Sequence, residues 1–141
     1  MRYDIDKTYL RAFIDEQVSL VADEAYSEQG LSLYDSIILT QKDDDDVSRQ
    51  IDDAVRGFVT RTFDIAKFDA DGIKFYVPDF DETMEDAVKS EITHFIVFAV
   101  CAALFKSRRP QAEPEYTERA KAAVEKAVTL LKSRKSPTDL W

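Results

Sequence analysis

Four consecutive aspartates, Asp43 to Asp46, form the densest set of potential metal ligands in the chain. Ca²⁺ and Mg²⁺ favour carboxylate oxygens, but an EF-hand loop takes its ligands at spaced positions, with Gly at the sixth and Glu at the last. Four acids in a row do not supply that spacing. Asp69, Asp71 and Gly72 fail as well, because Ile73 falls on a ligand position and Phe80 stands where the closing Glu belongs. The aspartates read instead as the start of a helix, where carboxylates cap free N–H groups and complement the helix dipole. His94, the single histidine, lies between Thr93 and Phe95 with no serine or cysteine pattern around it. It reads as a core or boundary residue rather than a general base. Cys101 has no neighbour in sequence that would stabilise a thiolate, and reads as a small core residue.

Two Glu-x-x-Glu pairs, Glu82 with Glu85 and Glu115 with Glu118, each put two carboxylates on one helix face. They resemble the pairs that hold Mg²⁺ between helices in all-α nucleotide pyrophosphatases. That family also takes a Glu-x-x-Asp pair on the following helix and basic contacts to phosphate. Here both pairs fall in the first turns of helices, where acids are ordinary. There is no glycine-rich phosphate loop. The sequence therefore assigns no catalytic, cofactor or metal residues, and no cofactor or enzymatic activity is expected.

Residues of the kind found at protein–protein hot spots are better represented. Arg108 and Arg109 read either as cations closing a helix C-terminus or as contact residues for a partner. Leu140 and Trp141 sit on a polar tail with no local core to join, so they either fold back or dock on another protein. These four are the candidate interaction residues.

At 141 residues, 45% hydrophobic and 33% charged, the chain has enough apolar material for one core, and three Gly and four Pro leave few loops. One cysteine excludes an internal disulfide and fits a reducing, cytoplasmic setting. The first residues lack the apolar stretch of a secretion signal. The longest apolar run, Phe95 to Phe105, has 11 residues. A membrane span needs about 20, so a buried helix and no membrane partner are expected. Residues 1–100 hold 10 Lys/Arg against 23 Asp/Glu, and residues 101–141 hold 9 against 5, so a body of −13 meets a C-terminal part of +4. An acidic body repels phosphate and argues against sequence-specific nucleic-acid binding. The polarity reads as two solvated surfaces of unlike sign, or as surfaces through which subunits meet head to tail.

The elements that would carry these residues can be read by period. A first helix spans Lys7 to Tyr26 behind a cap at Asp6, with Leu10, Phe13, Ile14, Val18, Val21 and Ala25 on one side. The segment Leu31 to Thr40 is either extended or a docked helical turn. A second helix follows the aspartates, with Val47, Ile51, Ala54, Val55, Phe58, Thr62 and Ile65 as its stripe through Ala66, and with Gly57 allowing a close helix crossing. Asp71-Gly72 signals a turn, and Ile73 to Val77 a short strand stopped by Pro78, with Ile37 to Leu39 as its partner in a two-stranded ribbon. A third helix runs from Asp81 to about Ser107, closed by Lys106, Arg108, Arg109 and then Pro110. A fourth begins near Pro114, with Tyr116, Ala120, Ala123, Val124, Ala127, Val128 and Leu131 as its stripe. The expected fold is mainly α: a four-helix bundle with a small two-stranded β element between helices 2 and 3. Residues 1–135 form one helical domain and 136–141 a tail.

The order of these features resembles the head–tail connector (neck or adaptor) proteins of tailed phages and prophages. The matching residues are Tyr34-Asp35, Leu39-Thr40 leading into Asp43 to Asp46, the apolar run Ile92 to Phe105 with Arg108, and Tyr116 four residues before Ala120. The resemblance covers about residues 34–132 and leaves out the first helix and the tail. It implies a virion structural subunit that forms a ring with itself beneath a portal, contacts portal or tail proteins, and is found in the bacterial host cytoplasm and the virion. An acidic channel lining would let DNA pass by like-charge repulsion, and the acidic surface of one subunit would meet the basic part of the next. A generic helical protein-interaction module of bacterial origin is the alternative, and a Mg-dependent all-α nucleotide pyrophosphatase the third reading.

Overall fold

The computed structural model describes residues 1–134; Leu140 and Trp141 lie outside the described residues. Helix α1 (Lys7–Gln29) starts where the Asp6 carboxylate accepts the Tyr9 N–H at 3.1 Å. Leu10, Ile14, Val18, Val21, Ala22 and Ala25 are buried, whereas Phe13 is only half-buried on the flank of the stripe. Gly30, at φ 92°, closes α1 in a conformation that L side chains avoid and turns the chain into α2 (Leu31–Ile37).

Helix α3 (Asp44–Arg61) buries Val47, Ile51, Val55 and Phe58. It ends earlier than its stripe suggests. The Thr62 hydroxyl donates to the Phe58 carbonyl at 2.8 Å, and the Thr62 carbonyl accepts from Ile65 and Ala66. That turn takes Ile65 and Ala66 out of the helix, and Ala66 opens a strand. Gly57 makes no close crossing: a Cβ placed there meets nothing within 4 Å.

The β element has three strands where two were expected. Strands β1 (Arg2–Asp4), β2 (Ala66–Asp69) and β3 (Gly72–Phe75) form an antiparallel sheet in the order β1-β3-β2. Ile37 to Leu39 is not the partner of β3, because Ile37 is the fully buried last residue of α2. Leu33, Tyr34, Ile37 and Ile38 follow helical spacing and pack on the core. The hairpin partner, β2, lies only two residues away across Ala70 and Asp71, so pairing there closes the smallest loop. Asp69 holds the turn, its Oδ1 accepting the N–H groups of Asp71 and Gly72 at 3.0 and 2.9 Å. Arg2 then donates through both terminal nitrogens to the Asp69 carboxylate at 2.8 and 3.1 Å, fastening β1 to the hairpin. Gly72 is required there, since a Cβ would collide with the Tyr3 carbonyl of β1. Tyr3, Ile73, Phe75 and Ala66 face inward, and the Tyr3 hydroxyl hydrogen-bonds Thr93 at 2.8 Å.

Helix α4 (Glu85–Arg108) follows a 3-10 turn at Glu82–Met84 capped by Asp81. By length and composition, Glu82–Arg108 could cross a bilayer. Here its apolar side chains, including Ile92, Phe95, Ile96, Val97, Val100, Leu104 and Phe105, are buried among the other elements. A helix surrounded by neighbours is apolar nearly all round. Pro110 ends the helical register and opens a 3-10 turn into α5 (Glu113–Leu131). Ala120, Ala123 and Ala127 bring α5 close along α4. After α5, Arg134 forms an antiparallel bridge with Phe80. The four long helices and small sheet share one core, the mainly α architecture expected.

Candidate interaction surface

Arg108 and Arg109 lie where α4 ends, against the ends of three other helices. The Arg108 guanidinium donates to Asp43 Oδ1 at 2.7 Å and to the carbonyls of Ile37 and Ile38 at 3.4 Å. It thus sits at the negative end of α2 and at the start of α3 together. Asp43 also accepts the Thr40 N–H at 2.8 Å, and this bond, reinforced by Arg108, holds its carboxyl below the ordinary aspartate value. Arg109 is nearly buried and pairs with Glu28 of α1 at 3.0 Å. Both arginines therefore tie parts of this chain together.

The remaining acids are also used locally. Asp44, Asp45 and Asp46 occupy the first turn of α3, with Asp44 paired to Arg11 at 2.7 Å and Asp46 to Arg49. Glu82 and Glu85 stand at the start of α4, and Glu115 and Glu118 in the first turns of α5, beyond its far end. Helix α4 has 24 residues and spans about 36 Å at 1.5 Å per residue, so the two pairs do not meet. Among the described residues, no three His, Cys, Asp or Glu side chains gather as a metal site. Burial pushes the Cys101 thiol up to about 12, which keeps it protonated at neutral pH.

An aromatic row runs from the half-buried Phe13, His94 and Phe98 into the buried core residues Tyr116 and Phe105. Phe13 of α1 meets His94 of α4 edge-on at 5.9 Å between ring centroids. His94 stacks on Phe98, one turn further along, at 5.8 Å and 20°. Phe98 meets Tyr116 of α5 at 6.0 Å, and Tyr116 packs on Phe105 at 4.9 Å. The Arg119 guanidinium covers this end, 4.9 Å from the Tyr116 ring and 5.8 Å from Phe98, and Glu115 holds it at 2.5 Å. The Tyr116 hydroxyl donates to Gln17 at 3.3 Å, and burial raises its pKa. Glu91 forms an ion pair with Lys126 at 3.5 Å beside His94. Tyr9 and Leu20 stand four residues before and seven after Phe13, on the same flank of α1, and both are more than half exposed.

The row joins three helices, and its half-buried end, with a cation beside it and exposed Tyr9 and Leu20 nearby, has the composition of a protein-contact surface. Phe13 could have been found from sequence, since Phe13 and Ile14 are adjacent and cannot both face the centre of the core. Arg119, three residues after Tyr116, was a second signal. Comparison with protein-family models, curated proteins and solved structures finds no match for this chain.

Proposed function

We propose that the protein is a structural assembly subunit of the phage or prophage head–tail connector kind, which acts by packing against copies of itself and against portal or tail proteins. The observation that carries this reading is the half-buried row Phe13, His94 and Phe98, flanked by Arg119 and by the exposed Tyr9 and Leu20. Half-buried rings beside an arginine offer rigid apolar contacts at low entropic cost, which suits a permanent partner more than a diffusing substrate. The mainly α fold with its small sheet is compatible with the resemblance noted in the sequence. The acidic residues 1–100 and basic residues 101–141 provide the unlike charges that head-to-tail ring contacts use. Such a subunit would reside in the bacterial cytoplasm and then in the virion.

Molar mass in solution by light scattering, alone and mixed with a portal protein, tests the proposal. A discrete ring or co-elution with the portal is expected, and Phe98→Ala with Arg119→Ala should abolish it. A monomer or dimer that ignores the portal overturns the connector reading and leaves a helical interaction module. Mg²⁺-dependent nucleotide hydrolysis lost in Glu82→Gln or Glu85→Gln would overturn both.

A further inference from the structure

The three-stranded sheet leaves the outer edge of β2 open around Phe68. Tyr76 donates its N–H to Ile65 on the β2 side at 2.8 Å, whereas Phe75 donates to Met1 on the β1 side at 3.0 Å. Donors alternate along an antiparallel strand, so Lys67 and Asp69 turn their backbone groups to β3 while Phe68 turns its own outward. Among the described residues, nothing bonds to the Phe68 N–H or carbonyl. The opposite edge, β1, carries the charged Arg2 and Asp4 at its outward positions, a common protection of a sheet edge. At the centre of the β2 edge stands a phenylalanine instead, 44% exposed, with Phe63 at 79% in the turn just before the strand. The neighbouring Lys67 is short of a partner. It faces Lys74 across the hairpin, and Asp69 answers Lys74 at 3.7 Å, but among the described residues Lys67 reaches only the Tyr76 ring, at 5.8 Å.

We propose that this edge pairs with the same edge of a second copy of the chain, antiparallel, with the two-fold axis at Phe68. Charge sets the register. Centring the pair on Phe68 puts Lys67 opposite Asp69 of the second copy, and Asp69 opposite its Lys67, on the outer face of the sheet. Each lysine then gains the carboxylate that its own subunit gives to Lys74. Sliding one strand by two residues brings two lysines or two aspartates face to face instead. The free N–H and carbonyl of Phe68 meet those of Phe68 in the second copy, two hydrogen bonds across the axis, and the two exposed rings pack together on the other face. The ladder cannot run on past Ala66, because the Ala66 N–H is already given to the Thr62 carbonyl at 2.8 Å. The contact therefore closes at two copies, unlike a head-to-tail contact, and it stands whether or not a ring forms.

Sedimentation equilibrium of the full chain over a range of concentrations tests this pairing. A strand of four residues is only about 13 Å long, so a dimer that dissociates on dilution is expected. Phe68→Pro removes an N–H that points outward and keeps the bonds to β3, so it should abolish the dimer while the helical circular dichroism stays unchanged. Lys67→Glu sets a like charge against Asp69 of the second copy and should weaken the dimer about tenfold. Inside the subunit the same change relieves the repulsion from Lys74. Phe68→Cys should cross-link under mild oxidation, because residues paired at that position stand about 5.5 Å apart. Phe63→Cys, more exposed but off the axis, should not, and the buried Cys101 does not compete. The dimer should persist in Phe98→Ala with Arg119→Ala, which separates it from the contacts of the aromatic row. A chain that stays monomeric at every concentration overturns the proposal. So does a dimer that survives Phe68→Pro and Lys67→Glu, cross-linking as ready through Phe63→Cys as through Phe68→Cys, or a dimer lost in Phe98→Ala with Arg119→Ala. None of these readouts depends on a portal.

Discussion

Arg108 and Arg119 are eleven residues apart, both on α4 or the helix that follows it, and they meet opposite surroundings. Arg108 points into a corner where α2 ends and α3 begins, and its charge is met by one carboxylate and two helix-end carbonyls. Arg119 stands over the half-buried Phe98 ring and the buried Tyr116 ring, anchored by a carboxylate on its own helix. In the first site the guanidinium supplies directed hydrogen bonds that join three elements. In the second it supplies a delocalised cation and a flat apolar face. Whether an arginine ties elements together or covers rings on its own helix depends on what the tertiary structure brings to it.

This contrast can be broken most sharply at Arg108. Arg108→Ala leaves Asp43 and the α2 carbonyls without their cation and should cost about 2 kcal/mol, read as a lower urea midpoint. Arg119→Ala should change that midpoint by less than about 0.5 kcal/mol. The same substitution should weaken binding to a partner by about tenfold, measured by titration. If instead Arg119→Ala unfolds the chain, the row belongs to the core and not to an interface.

Acid separates the two sites in a second way. The folded-state pKa of Asp43 is lowered, first by the Thr40 N–H and then by Arg108. That of Asp69 is lowered mainly by Arg2. A lowered carboxyl pKa stabilises the fold fully above the unfolded value of about 3.9, and this contribution is lost as pH falls through the folded value. Stability should therefore decline below about pH 4. The decline should be shallower in Arg108→Ala, where Asp43 keeps only its backbone partner, and unchanged in Arg119→Ala. The smallest effect lies away from both arginines. Gly57→Ala meets no neighbour and should stabilise α3 by up to about 1 kcal/mol, visible as a higher thermal midpoint.

Local signals in the sequence were read correctly where they decide the structure alone. Asp6 caps α1, the aspartates open α3, and the run through Phe105 is the central helix before Pro110. The sequence misleads where two periods fit equally well, as in the segment ending at Ile37 to Leu39, or where the chain turns out of a helix before its stripe ends, as at Thr62. The candidate interaction surface is less legible still. The Asp43 partner of Arg108 is 65 positions away, and the Phe13 partner of His94 comes from another helix. Spacing along one element cannot report a neighbour supplied by another.

The Arg2–Asp69 fork joins residues 67 positions apart. During synthesis, α1 leaves the ribosome long before the hairpin that its preceding strand must join. Contacts this distant in sequence also carry the loop-closure cost that slows folding. Strand β1 is therefore made well before the hairpin it pairs with, and the Arg2–Asp69 clasp can close only once both are in place.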